Sequence, residues 1–272
     1  MKLIHVDIAA EELFQIGPLA VTNSMVGAVL ASVLVFSASL LVTRRGSMVP
    51  GRFQMLIEFP IEWLSGILQG IGGSRWREFA VLVIAIFIFL LVANFLGLLP
   101  GVGVVGLVAE GEHGEQLLIP IVRAAGADLN FTLGLAIVAF VAFIGWGIRA
   151  NGVRGYLKEL LIAEPAYMTP LLTPIHLISE LSRLISLSMR LFGNIFAGEV
   201  LLTVMLVLAP IVPFAFLGLE LIFGFVQALV FALLTMTYII LAIAEYRQHG
   251  SGDEPSGEKP DHPEASPYPG PA

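Results

Sequence analysis

The stretch that decides the fold is Ser182–Val200, SRLISLSMRLFGNIFAGEV. It lies inside a nearly unbroken apolar run, yet it carries Arg183, Arg190 and Glu199. Thr173 and Pro174 suit the start of a helix here, and nothing breaks it before Pro210. A helix over that interval is ~54 Å long at 1.5 Å per residue, against a bilayer hydrocarbon core of ~30 Å. It must lean strongly, bend or leave the membrane. On a helical wheel His176, Ser179, Arg183, Ser186, Asn194 and Ala197 fall within roughly 40° of Arg190. Glu199 points to the opposite face, and Glu180 lies about 80° to one side.

The rest of the chain explains why this helix belongs in lipid. Of 272 residues, 57% are hydrophobic and 13% charged, whereas a soluble domain carries about 25% charged residues. The mean hydropathy is +0.90. With no cysteine present, disulfides, thiolate metal sites and thiol nucleophiles are excluded. The net charge of −7 owes much to the last 22 residues, which hold five acids and one lysine. The N-terminal MKLIHVDIAAEELFQIG mixes acids into a short apolar stretch and does not read as a signal peptide.

Apolar spans place membrane helices at Asn23–Val42, with Asn23 and Ser24 able to cap it, at Phe79–Leu99 and at Asn130–Ile148. Gly51–Gly73, with Glu58 and Glu62 on an apolar stretch, reads as an interfacial amphipathic helix. Ile211–Tyr246 is as oversized as the helix before it, and APIVPF joins the two into a tilted hairpin. The fold class is therefore an all-α polytopic membrane protein, with about five crossings. Residues 1–246 form one membrane domain. The tail 247–272, rich in Pro, Gly and acids, is expected to be disordered.

Basic residues orient it. Arg44, Arg45, Arg52, Arg75 and Arg77 follow the first span, and Arg149, Arg154 and Lys158 follow the third. The loop between the second and third spans is acidic apart from Arg123. The basic loops face the cytoplasm, so the N-terminus lies outside and the C-terminus inside.

Arg183, nearer the cytoplasmic end, reads either as a snorkelling residue or as part of the stripe. Arg190 lies near the helix midpoint, where a charge costs about 2.5 kcal/mol or more unless something answers it. The stripe's serines are either polar lining or small residues for close helix packing. On the last helix Glu220, Gln227 and Tyr238 share a face to within about 20°. Gln227 reads as a neutral partner for a guanidinium or as an interhelical hydrogen bond. Glu220 is an acid inside an apolar span, the kind of residue that marks an ion path.

SLSMRLFGNIFAGEVLL resembles the signature of subunit a of the F-type ATP synthases, the stator of their membrane motor. GPLAVTNSM, ANFLGLLPG, RAAGADLNFTLGLA and VQALVFALLTMTYI are similar to further stretches of that family, in the same order. The likeness runs from about residue 15 to 246; Ala125 and Gly126 stand where the family pattern has Pro-Thr, with Asp128 and Asn130 in place.

The resemblance implies that Arg190 is the essential arginine, that Asn194, Glu199 and Gln227 match family positions, and that Glu220 falls where members carry histidine or glutamate. It also implies partners: a c-ring of hairpin subunits with mid-membrane carboxyls, peripheral-stalk b subunits and the other synthase subunits. The expected role is non-enzymatic, with no cofactor or metal: two offset half-paths reach the ring carboxyls, and Arg190 separates them. The outer path would use Asp128, Asn130, Glu199 and Glu220. The inner one would open near His176, Glu180, Ser182 and Arg183. A bacterial inner membrane is the expected location. No phosphate-binding loop of the form GxxxxGK[ST] is present, so ATP chemistry belongs to partner subunits. The choice of proton or sodium, and of synthesis or ATP-driven pumping, stays open. The rival readings are a secondary transporter, which would require inverted repeats and paired broken helices, and a membrane scaffold, which would tolerate neutralisation of Arg190.

Overall fold

The computed structural model describes residues 10–17, 19–45, 51–99, 102, 106–110, 116–161, 169–209 and 211–250. Six helices dominate: α1 (Asn23–Arg45), α2 (Arg52–Gly72), α3 (Arg77–Gly97), α4 (Leu129–Leu161), α5 (Thr169–Leu208) and α6 (Pro213–Gly250). All but α2 are long and apolar enough to cross a membrane. The two final helices, of 40 and 38 residues, are the longest, as the uninterrupted apolar pattern requires.

Several boundaries differ from the sequence reading for local reasons. Thr22, not Asn23 or Ser24, caps α1: its hydroxyl accepts the Met25 amide at 3.4 Å. α5 begins at Thr169 rather than being capped by Thr173, and Pro174 lies inside it. α4 continues past Ile148 and is broken at Gly152 (φ 71, ψ 158), a left-handed backbone that favours glycine. α6 runs to Gly250, so the first four residues assigned to a disordered tail are helical; 251–272 lie outside the described residues.

Two small antiparallel hairpins, which the apolar pattern did not reveal, lie outside the helices. The first pairs β1 (Glu12–Ile16) with β2 (Leu19–Thr22), and the second pairs β3 (Gly106–Glu110) with β4 (Gln116–Pro120). β2 leads straight into α1, and β4 leads into a 3-10 turn at Ala125–Ala127 that opens α4.

α6 is the central element, packing on α3, α4 and α5, while α4 also packs on α5. Phe87 and Leu90 of α3, Leu191 of α5, and Phe231, Met236 and Ile239 of α6 are fully buried there. Ala136 and Ala139 of α4 and Ala228 and Ala232 of α6 are buried too. Their small side chains let backbones approach, the usual means of joining helices where lipid removes the hydrophobic drive. Trp63 ties the amphipathic α2 to this wall, with ring centroids 5.7 Å from Phe225 and 6.5 Å from Phe87. Phe87 and Phe225 meet edge to face at 6.0 Å.

The start of α4 is pinned by one carboxylate. Asp128 Oδ1 accepts the Asn130 amide at 2.8 Å as an N-cap, and Oδ2 accepts the Ser24 hydroxyl of α1 at 2.5 Å. The Arg123 amide donates to the Asn23 carbonyl, and a Cβ at Gly27 would collide with the Arg123 carbonyl oxygen. This close approach of α1 to the 123–128 segment therefore requires glycine at position 27.

Two substitutions test this architecture by thermal unfolding of the detergent-solubilised protein. Phe87→Ala removes the hub of the aromatic trio and is expected to destabilise by about 3 kcal/mol. Asp128→Ala removes a cap and strips a buried hydroxyl of its acceptor, an expected loss of about 2 kcal/mol.

Candidate functional site

α5 turns its inner face, with Leu187, Ser188, Leu191 and Ile195 buried, toward the bundle. Ser188 meets Thr132 of α4 at 3.2 Å in this contact. The rotation sends the polar stripe outward: His176, Ser179, Ser182, Ser186 and Arg190 are exposed, and Asn194 is half-buried. Among the described residues none gives Arg190 a hydrogen bond or ion pair. The hydrogen bond from Arg190 to Gln227 suggested by the helical wheel is not formed. Gln227 is buried within the bundle, and its Nε2 has no hydrogen-bond partner among the described residues.

Arg183 behaves differently from its neighbour two turns along. Its Nη1 donates to Glu180 Oε1 at 2.7 Å, and its guanidinium lies 5.5 Å from the Tyr238 ring of α6. The ion pair and the cation–π contact keep this arginine on the protein rather than snorkelling alone.

On the opposite face of α5 lies a second polar group. Glu199 receives Arg123 Nε at 3.0 Å on both carboxylate oxygens. Arg123 is 5% exposed, and its guanidinium stands 6.0 Å from the Phe196 ring. Near it on α6 is Glu220, half-buried and close enough to Glu199 for their charges to interact. Its carboxylate lies directly against Gly198, where any Cβ would overlap it. A cavity of about 160 Å³ opens beside Glu220, lined also by Asn194, Leu201, Phe216 and Phe223. Glu220 Oε2 has no hydrogen-bond partner among the described residues. Further along this face of α6, Asn94 of α3 donates to the Gly224 carbonyl at 3.0 Å.

The structure therefore brings Asn194, Glu199 and Glu220 together between α5 and α6 and leaves Arg190 on the outer surface. Asp128 belongs to the neighbouring helix start, where Gly126 packs on Ile195, and Asn130 is exposed beside it. Arg123, Asn94 and Gly198 were not singled out as site residues from sequence. Arg123 and Glu199 are 76 residues apart in the chain, and no spacing rule links a loop arginine to a distant helical acid. Among the described residues no cluster of three or more metal-ligating side chains occurs.

Comparison with known proteins agrees in extent with this architecture. The chain is 31% identical over 229 residues to ATP synthase subunit a of Moorella thermoacetica, covering 84% of this chain and 94% of that one. It is 32% identical over 249 residues to ATP synthase subunit a of Gloeobacter violaceus, covering 90% and 93%. The corresponding protein of Gluconobacter oxydans is 36% identical over 219 residues, covering 74% and 80%. The family model for the ATP synthase A chain matches residues 25–240, from the first turn of α1 to deep in α6, and the chain belongs to that family.

Proposed function

We propose that this chain is the ion-translocating stator of a rotary F-type ATP synthase, a membrane subunit with no catalytic site for ATP. The observation that carries the reading is Arg190. It is a permanently charged side chain near the middle of a 40-residue apolar helix, and it is exposed with no partner among the described residues. A guanidinium does not deprotonate in proteins. In a membrane it needs an answering charge, and a ring of c subunits with mid-membrane carboxyls would supply one at each step.

Facing that ring, Arg190 favours the ionised form of an arriving carboxyl, so a protonated one releases its ion and cannot carry it past. The same charge repels a cation seeking a direct route. Ions must therefore enter and leave on separate sides. The cavity beside Asn194 and Glu220 supports an outer path, which would also use Glu199, Asp128 and Asn130. His176, Glu180, Ser182 and Arg183, toward the other end of α5, would border the inner path. A potential of 100 mV would drive each step with about 2.3 kcal/mol per charge. The N-terminus faces outside and the C-terminus the cytoplasm, in a bacterial inner membrane, with b subunits of the peripheral stalk holding the stator still.

The test is ATP-driven ion pumping by the whole complex in liposomes. Arg190→Ala is expected to reduce pumping to background while the subunit remains assembled. Arg190→Lys is expected to lose most of it, because burial can neutralise an amine. Full-strength pumping by the alanine variant, at normal assembly, would overturn the proposal.

A further inference from the structure

α5 carries two arginines on one face. Arg183 and Arg190 are seven residues apart, a step that returns to within about 20° and sets them ~10 Å apart along the helix. Their surroundings are unlike. Arg190 is exposed with no partner among the described residues. Arg183 is 24% exposed; its Nη1 donates to Glu180 Oε1 at 2.7 Å, and its guanidinium lies 5.5 Å from the centre of the Tyr238 ring.

An ion pair three residues apart and partly open is a weak tether by itself. The Tyr238 ring adds a second hold and draws the charge toward the other arm of the hairpin, α6. Tyr238 has a firm backing, since its ring stands 6.1 Å from that of the buried Phe143 of α4. The neighbours of Arg183 along the stripe are short: Ser179, Ser182 and Ser186 are exposed. A released guanidinium would therefore have room to swing onto the face that holds Arg190.

We propose that Tyr238 is a positioning residue that, together with Glu180, retracts Arg183 from the face it shares with Arg190, so that the rotor ring meets a single free guanidinium. This rests on the stator reading and deepens it. A cation favours the ionised form of a nearby carboxyl. A second free arginine, two turns along toward the inner path, would hold an arriving ring carboxylate ionised where it has to take up its ion. The ring would stall, and ATP hydrolysis coupled to it would slow with it.

The experiment measures ATP-driven ion pumping and ATP hydrolysis per assembled complex in liposomes, with this subunit quantified in each preparation. Tyr238→Leu removes the ring and is expected to lower both rates about fivefold or more, whereas Tyr238→Phe, which keeps an aromatic face, is expected to stay within about twofold of the parent. Adding Arg183→Gln to Tyr238→Leu is expected to regain at least about threefold, to within about twofold of Arg183→Gln alone, because the ring has no further effect once the charge is gone.

Parental pumping by Tyr238→Leu would overturn the proposal. So would a double variant no better than Tyr238→Leu, which would mean that Tyr238 acts through packing on Phe143. Loss of pumping with hydrolysis at the parental rate would mean a leak rather than a stall, and would overturn it too. If Tyr238→Leu fails to assemble, Glu180→Gln is compared with Glu180→Gln/Arg183→Gln; Glu180 has further interactions, but their loss is common to both members, and absence of rescue overturns the proposal. Arg190→Ala is run alongside: pumping by that variant refutes the stator reading, whereas its silence together with an unrescued double refutes only the role given to Tyr238.

Discussion

An arginine cannot shed its charge to suit an apolar setting, and the placement of Arg190 makes that constraint the organising fact of the molecule. α5 buries Leu187, Leu191 and Ile195 against the bundle, and this choice of inner face leaves Arg190 outside with no partner among the described residues. Two arginines packed near α5 are handled in the opposite way. Arg183 is paired with Glu180 and stacked near Tyr238, and Arg123 is sequestered against Glu199 and Phe196. Of these three, only Arg190 is without an answering group among the described residues.

The spans were readable in the sequence because their signal is local. About 20 apolar residues in a row mean a crossing wherever they fall, and the oversize of the last two helices follows from counting to the next proline. The helix ends were less legible. Thr22 rather than Asn23 caps α1 because the hairpin that precedes it sets where the chain turns. Nothing in the helical period of α4 signalled that Gly152 would break it. The hairpins themselves are short strands amid Gly- and Glu-bearing loops, too brief for alternation to stand out.

Within the site, a helical wheel orders residues around one axis and says nothing of how a second helix is rotated against the first. That is why the wheel could set Glu220 and Gln227 on one face of α6 and yet suggest a bond from Gln227 to Arg190 that did not form. The nearness of Glu199 to Glu220 needed the hairpin between α5 and α6, which sequence supplied. The guanidinium of Arg123 needed a tertiary link from a loop, which it did not. Asp128 has a structural part that no ion-path reasoning assigned, since one carboxylate both caps α4 and fastens it to α1.

The layering of the helices has a mechanical side. α5 leans on α4 and α6, and α6 is backed by α3, to which the amphipathic α2 is braced through Trp63. A sideways load arriving on the bare flank of α5 would pass through close-packed alanines and aromatic rings before it met anything soft. Interiors of that density compress little. The wall would therefore behave as a stiff abutment, transmitting reaction force to its supports with little recoil of its own.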